Sequence, residues 1–342
     1  MNTKIIDATI FLNNLKEIQK RAQKELCVMV KADAYGHGLK EIASCLQNTP
    51  YVCGVFSQAE GIDLRKYLPK HRICVFGMLE DVKTCVEQGL EISVHSLQQA
   101  KQYYTEGKKS GLCSALRIHI AIDTGMHRFG LQQRKELCKT YAFCKKHFTL
   151  CGIYTHFCTI DTNLPFFKQQ QALFQKSLQK LGERLAYATH VGGGLCLDAT
   201  PSSMLRVGLL AYGYGAPWVK PCLQIKTQIM EMKTLHKGDM LGYNEGFIAP
   251  ETMRVGIVPL GYGDGIDMRL KDHYAFMVNG TERKIIGNVC MDCCFIPLQK
   301  KDNVGDEVCA LPANRWAEQM NTSVYEVLCN LKHMRAYGKI KQ

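Results

Sequence analysis

A repeated alternation over residues 1–215 narrows the possible folds more than any other feature. Short apolar, β-rich runs lie at 26–30, 51–55, 73–76, 92–94, 115–122, 150–155, 189–191 and 204–207. Stretches of helical hydrophobic period fall between them, at 39–46, 59–67, 80–87, 97–104, 132–146 and 167–185. Eight such strand–helix repeats suit a (β/α)8 barrel. A doubly wound parallel sheet would display the same alternation. The placement of distinctive polar residues favours the barrel. Lys31, Arg128, His156, Gly192 and Arg206 sit at or just after expected strand ends, and a barrel gathers the C-terminal ends of all its strands at one mouth.

The pattern changes near Tyr212-Gly213-Tyr214-Gly215-Ala216-Pro217, where Pro217 and Pro221 flank a linker. Beyond it, strand-like runs are separated by Lys237-Gly238-Asp239, Asn279-Gly280 and Gly305-Asp306. Asn-Gly between apolar segments signals a hairpin. The expected organisation is a barrel over 1–215 followed by a mostly-β domain over 216–342, for which 342 residues suffice.

Composition removes several classes of function. The net charge is +12, but the basic residues are scattered and no run of them interleaves with aromatics, so no nucleic-acid partner is expected. No apolar run approaches transmembrane length, so no membrane partner is expected either. Met1-Asn2-Thr3-Lys4 leads into short mixed segments rather than a secretory signal. Seventeen cysteines, an odd count at irregular spacing, do not describe a disulfide framework; they read as free thiols in a reducing cytoplasm. Cys290-Met291-Asp292-Cys293-Cys294 is the one cluster that suggests a metal. It lacks a second Cys/His half at zinc spacing, so no metal is expected.

The run 26–30 ends on Lys31. An ammonium at the inner end of an apolar strand costs several kcal/mol or gives up its proton, and the free amine is a nucleophile toward carbonyls. By itself such a lysine can equally snorkel to solvent. The full string Lys31-Ala32-Asp33-Ala34-Tyr35-Gly36-His37-Gly38 resembles the cofactor-lysine motif of the alanine racemase family, fold-type III enzymes that carry pyridoxal 5'-phosphate (PLP) on a lysine. Family members usually have Asn where Asp33 stands.

The resemblance continues along the chain and implies roles for the matching residues. Asp123-Thr124-Gly125-Met126-His127-Arg128 is similar to the family's Asp-Thr-Gly-Met-x-Arg, which implies that Arg128 faces the cofactor's phenolic oxygen and the substrate carboxylate. Thr155-His156-Phe157 resembles Thr-His-Phe, implying that His156 bridges a catalytic tyrosine and an arginine. That arginine is Arg206, in a string resembling Arg-x-Gly-Ile-x-x-Tyr-Gly; it would donate to the pyridine nitrogen, which stays unprotonated because guanidinium keeps its proton. Gly208 and Leu209 would offer backbone N–H groups to the cofactor phosphate, with Tyr35, Gly194 and Tyr325 as further phosphate ligands. Gly242-Tyr243-Asn244 resembles Ser-Tyr-Gly, which implies that Tyr243 is the second base opposite Lys31. Gly261-Tyr262-Gly263-Asp264-Gly265 and Cys290-Met291-Asp292 resemble the family's substrate-binding strings, with Tyr262 and the Met291 N–H at the substrate. The implied enzyme is a homodimer with shared active sites, interconverting L- and D-alanine and supplying D-alanine for peptidoglycan.

Four departures stand out. Ala121 replaces a lysine that is often carbamylated and holds the arginine. Gly193 and Gly194 replace Asn-Ser, leaving backbone N–H groups to bind phosphate. Asn288 stands where an arginine usually lines the entry channel. Asp33 is the fourth. Ala121, Gly193, Gly194 and Asn288 keep open a racemase for serine, lysine or a broad range of amino acids. A decarboxylase of the same fold type is disfavoured by Arg206, since decarboxylation benefits from a protonated ring. A non-catalytic PLP carrier is disfavoured by the second domain with Tyr243.

Overall fold

The computed structural model describes residues 2–159, 162–182, 186–188 and 202–341. A first strand, β1 (Thr3–Asp7), precedes eight strands that close on themselves: β2 (Glu25–Met29), β3 (Val52–Val55), β4 (Ile73–Val75), β5 (Leu90–Val94), β6 (Arg117–Ala121), β7 (Thr149–Thr155), β8 (Ala186–Ala188) and β9 (Met204–Val207). Every neighbouring pair is parallel, and β2 pairs with both β3 (Cys27↔Val52) and β9 (Cys27↔Arg206). A doubly wound sheet would leave two edges; this one has none, so the barrel is the architecture. Strands β3, β4, β5 and β9 are buried along their whole length, which is why they read as continuous apolar runs rather than as alternation. The strand expected at 189–191 lies outside the described residues, and β8 sits just before it.

The helices follow their strands as the period required. Leu39–Leu46 and Gln58–Tyr67 lie where expected. Leu97–Ser110 runs further than its apolar period because Gly111, at φ 70°, stops it. Ser57 and Glu60 form a capping box at the start of Gln58–Tyr67.

The remaining strands are β10 (Leu223–Gln228), β11 (Glu231–Leu235), β12 (Met240–Leu241), β13 (Phe247–Ile248), β14 (Met253–Val258), β15 (Tyr274–Val278), β16 (Thr281–Lys284), β17 (Cys294–Pro297), β18 (Glu307–Ala310) and β19 (Tyr337–Lys341). They form a six-stranded sheet in the order β16-β15-β18-β10-β1-β19, a three-stranded sheet β11-β14-β17 and the ribbon β12-β13. The Asn279-Gly280 hairpin is present between β15 and β16, with both residues at positive φ (49° and 75°), as the primed turn demands. Leu235, Leu241, Ala249, Val255, Ile286 and Phe295 form an apolar core here.

The chain divides into two compact units. One comprises Leu12–Lys31 and Ala43–Lys220; the other comprises Met1–Phe11, Ala32–Ile42 and Pro221–Gln342. The second unit thus borrows β1, which pairs antiparallel with β10 and parallel with β19, and the segment that follows Lys31. Five residues of Thr-Lys-Ile-Ile-Asp are too few to show a period, so the alternation gave no sign of this strand.

Candidate active site

Four residues expected to act through their side chains belong to the barrel unit, on or after its strands. Lys31 follows β2 by two residues; His156 follows β7 directly; Arg206 lies within β9; and Arg128 is in the loop after β6. Because β9 pairs with β2, Lys31 and Arg206 arise from neighbouring strands. The end of β2 is pinned by the buried Tyr212 hydroxyl, which donates to the Met29 carbonyl at 2.8 Å, and by Val30 N–H on the Gly54 carbonyl at 2.8 Å.

Arg206 is almost wholly buried. Its guanidinium carbon lies 4.2 Å from the Phe76 ring centroid and 4.7 Å from that of Tyr154. The two rings meet edge to face with centroids 5.3 Å apart, so both flank the cation from one side. Its Nη2 lies 3.3 Å from His156 Nδ1. Guanidinium can only donate, so Nδ1 accepts and a neutral His156 carries its proton on Nε2. Tyr154 in turn donates to Ser93 Oγ at 2.9 Å and lies 3.3 Å from His95 Nε2. Burial, aided by the Arg206 charge, lowers His95 to about 4, so its ring is neutral. Phe76, Tyr154, His95 and Tyr212 were not singled out from the sequence. The available signal was position: Phe76 and His95 follow the strands β4 and β5 immediately.

The loop that carries Arg128 is fixed at its base. The Asp123 carboxylate accepts Gly125 N–H (2.9 Å), His127 N–H (3.1 Å) and Gln132 Nε2 (2.7 Å). These bonds outweigh the opposing effect of burial and lower its pKa. Leu131 N–H returns to the Ala121 carbonyl at 2.9 Å. Arg128 itself is exposed, with its guanidinium carbon 5.8 Å from the Phe129 ring centroid. Ala121 is buried and offers no anion to it. Gly208 and Leu209 open the turn Leu209–Tyr212, where first-turn N–H groups point away from the turn. Gly194, with Gly192 and Gly193, lies outside the described residues.

The other expected residues lie on the second unit. Tyr243 is in the loop joining β12 to β13 and is 69% exposed. Asn288 Nδ2 donates to the Tyr243 carbonyl at 2.8 Å, so the residue standing in place of the entry-channel arginine holds the tyrosine's loop. Tyr262 N–H donates to the Cys290 carbonyl at 3.0 Å, and Gly263 N–H to the Met291 carbonyl at 3.0 Å. Arg335, another residue the sequence did not flag, grips both loops: Nε and Nη2 bind Asp264 (2.9 and 2.8 Å) and Nη1 binds Asp292 (2.7 Å). Tyr243, Tyr262 and Met291 are therefore carried on mutually bonded loops, all three exposed. Tyr35 and Tyr325 meet with ring centroids 5.9 Å apart.

Between Lys31 and Gly36 the backbone winds the wrong way. Ala32, Asp33, Ala34 and Tyr35 all have φ between 51° and 55°, and Gly36 N–H closes the turn on the Ala32 carbonyl at 3.0 Å. Left-handed turns of L-residues cost about 1–2 kcal/mol per residue. Compensation is both local and tertiary: Asp33 Oδ1 accepts Leu39 N–H at 2.7 Å, and the buried Lys4 ammonium donates to the Gly36 and Leu331 carbonyls at 3.2 and 3.4 Å. Strain of this kind, over-determined by its surroundings, is characteristic of functional segments.

Known proteins resemble this chain over nearly its whole length. The family "Alanine racemase, N-terminal domain" matches residues 6–216 and "Alanine racemase, C-terminal domain" matches residues 222–337. The alanine racemase of Clostridium perfringens (strain ATCC 13124) is 31% identical, covering 98% of this chain and 94% of its own. That of Nostoc sp. (strain PCC 7120) is 29% identical, covering 96% and 93%. The crystal structure of alanine racemase from E. faecalis superposes with a TM-score of 0.89 at 26% identity, covering 99% of this chain and 98% of that one. The histidine racemase of Leuconostoc mesenteroides, at 22% identity and a TM-score of 0.87 over 100% and 98%, shares the fold.

Proposed function

The chain belongs to the alanine racemase family, and from that premise we propose that it interconverts L- and D-alanine with PLP as cofactor, using Lys31 and Tyr243 as the two bases. The observation that carries the reading is Arg206, flanked by the Phe76 and Tyr154 rings with Nη2 on His156, on the strand that pairs with β2, whose end leads into Lys31. The donor set suits the cofactor. Lys31 offers the amine, Arg206 a permanent donor for the ring nitrogen, and Tyr35, Tyr325, Gly208, Leu209 and Gly194 donors for the phosphate. When bound, PLP supplies a sink for the electron pair left at the substrate Cα as its proton departs.

The protein's residues do the rest. Racemisation takes a proton from one face of Cα and delivers one to the other, which a single base does poorly. Lys31 Nζ serves one face and the Tyr243 phenol oxygen the other. His156, with its proton on Nε2 and the Arg206 charge behind it, is arranged to donate to a phenolate and so favour it. Arg128 receives the substrate carboxylate, as the Met291 N–H does, with Tyr262 beside them. Because Arg206 does not give up its proton, it would hold the ring nitrogen without charging it, and the weaker sink would restrain decarboxylation and transamination.

Tyr243, Tyr262 and Met291 are exposed on their unit, which supports a homodimer in which a second copy of the chain completes each site. The assignment of cofactor-holding chemistry to 1–215 and of the second base to 216–342 is part of the same proposal. Among the described residues no helix is long and apolar enough to cross a membrane, and seventeen cysteines without a framework support a cytoplasmic setting.

Borohydride reduction of the purified protein followed by peptide mapping tests the cofactor site. The label is expected on Lys31, and its recovery on another lysine would refute the assignment. A second reading, a racemase of wider range including serine or lysine, is favoured by Asn288, which is committed to the Tyr243 loop and leaves the entrance without its usual cation. A panel of L-amino acids read by chiral chromatography separates the two.

A further inference from the structure

Cys290 and Cys293 stand at the base of one tight turn, and the reaction derived above uses neither. The limbs on either side run antiparallel: Ile286 N–H donates to the Phe295 carbonyl and Cys290 N–H to the Cys293 carbonyl, both at 2.9 Å. The second bond closes the turn directly across Cys290 and Cys293, and a disulfide spans Cα separations of about 4.4–6.8 Å. Both pack half-buried against the core of Leu235, Leu241 and Phe295. Cys294, one residue on and fully buried, points to the opposite face of its strand.

The turn between the two thiols reaches the residues given work in the racemase reading. Its tip is Met291-Asp292, tied to Gly263 through the Met291 carbonyl and to Arg335 through the Asp292 carboxylate. The Cys290 thiol donates to the Asn288 carbonyl at 3.7 Å, and Asn288 in turn holds the Tyr243 loop.

We propose that Cys290 and Cys293 are a reversible modification site, oxidised to an intramolecular disulfide by low-molecular-weight disulfides of the glutathione type, and that bond closure shifts the Met291 N–H from its carboxylate-binding position. The effect on substrate binding rests on the racemase reading; the disulfide itself does not. Cys290, as thiolate, attacks one sulfur of the small disulfide, whose S–S bond breaks; one small thiol leaves, taking up the proton that Cys290 gave. Cys293 then loses its proton and attacks Cys290 Sγ, and the second small thiol leaves with that proton. Two protein thiols are oxidised and one small disulfide is reduced to two thiols. The Cys293 thiol is pushed up to about 11, first by burial and then by the Cys290 beside it, so it attacks second. Blocking of Cys290 in the first step removes the charge that contributed to the shift. Closure also deprives the Asn288 carbonyl of the Cys290 hydrogen it accepts.

The full chain, loaded with PLP, is equilibrated in graded ratios of reduced to oxidised glutathione. It is then quenched, alkylated and mapped by mass spectrometry, with KM for L-alanine measured on the same samples. The expected result is a peptide linking Cys290 to Cys293, lighter by two hydrogens, together with a KM raised about tenfold or more, as for loss of a charge-assisted hydrogen bond. Dithiothreitol reverses both, and Cys293→Ser shows neither while keeping the activity of the reduced protein. Cys290 and Cys293 remaining thiols, or stopping at mixed disulfides, overturns the proposal, and so does a linked peptide with unchanged KM. A reduced protein that makes no D-alanine defeats the racemase reading instead, and the peptide map still decides whether the pair closes.

Discussion

At the scale of single residues, the barrel interior holds a charge cluster separate from the proposed site. Glu91, fully buried, accepts from Arg72 Nε (3.0 Å), Arg117 Nη2 (2.7 Å) and His119 Nε2 (2.7 Å). Burial alone would push the His119 pKa down; Cys74 and Glu91 outweigh it and raise it to about 9. Burial likewise works against the Glu91 carboxylate, yet His119 and Arg72 hold it well below the usual range. A raised folded-state pKa means that His119 contributes stability fully present below about pH 6.5, its unfolded value, and lost as pH rises through about 9. Urea midpoints are therefore expected to fall between about pH 7 and pH 9.5, with His119→Gln flattening that slope; equal slopes for both proteins would contradict the assignment. At the proposed site, Tyr243→Phe removes one proton carrier and is expected to lower kcat about 10²- to 10⁴-fold while PLP stays bound. Absorption spectra and kinetics check the two halves of that statement. Arg206 was legible from its string, but the rings that hold it were not, because Phe76 and Tyr154 read as ordinary strand residues.

At the scale of elements, the segment after Lys31 shows where local reading ends. Ala-Asp-Ala-Tyr carries no glycine, and nothing in it announces four consecutive residues at positive φ. The left-handed turn is imposed by tertiary partners, Lys4 and the Leu328–Leu331 region, which lie far away in the chain. Gly36 marks the tightest point: at φ 73° a Cβ there would overlap the Leu328 carbonyl oxygen. Gly36→Ala is expected to cost well above about 1 kcal/mol, the cost of the backbone conformation alone. Gly111→Ala, at φ 70° with nothing near the added Cβ, should cost only about that much, and denaturant unfolding of the two variants makes the comparison. The barrel strands were legible because strands buried on both faces give unbroken apolar runs. The Asn279-Gly280 hairpin was legible because its turn type has a residue signature. β1 was not, since its partners, β10 and β19, lie more than 200 residues away.

At the scale of the whole molecule, the proposed bases belong to different units of the chain, Lys31 to one and Tyr243 to the other, and the proposal has two copies share each site. Lys31→Ala and Tyr243→Phe homodimers are each expected to be nearly inactive. When the two are refolded together, about half the dimers are mixed and each has one site with both bases intact, so about a quarter of the wild-type activity should return. No recovery on mixing would place both bases in one copy and leave the reaction itself untouched. Sequence motifs carried the family assignment because they sit on loops where chemistry fixes residue types, whereas the closure of eight strands into a barrel required the pairing of β2 with β9 to be seen. The most direct test of the central claim is the time course of L-alanine incubated with the PLP-loaded protein and followed by chiral chromatography. The account expects D-alanine to accumulate until the two enantiomers are equal with total alanine conserved, and Lys31→Ala to abolish the conversion. No D-alanine, or loss of total alanine to an amine or a keto acid, would contradict it.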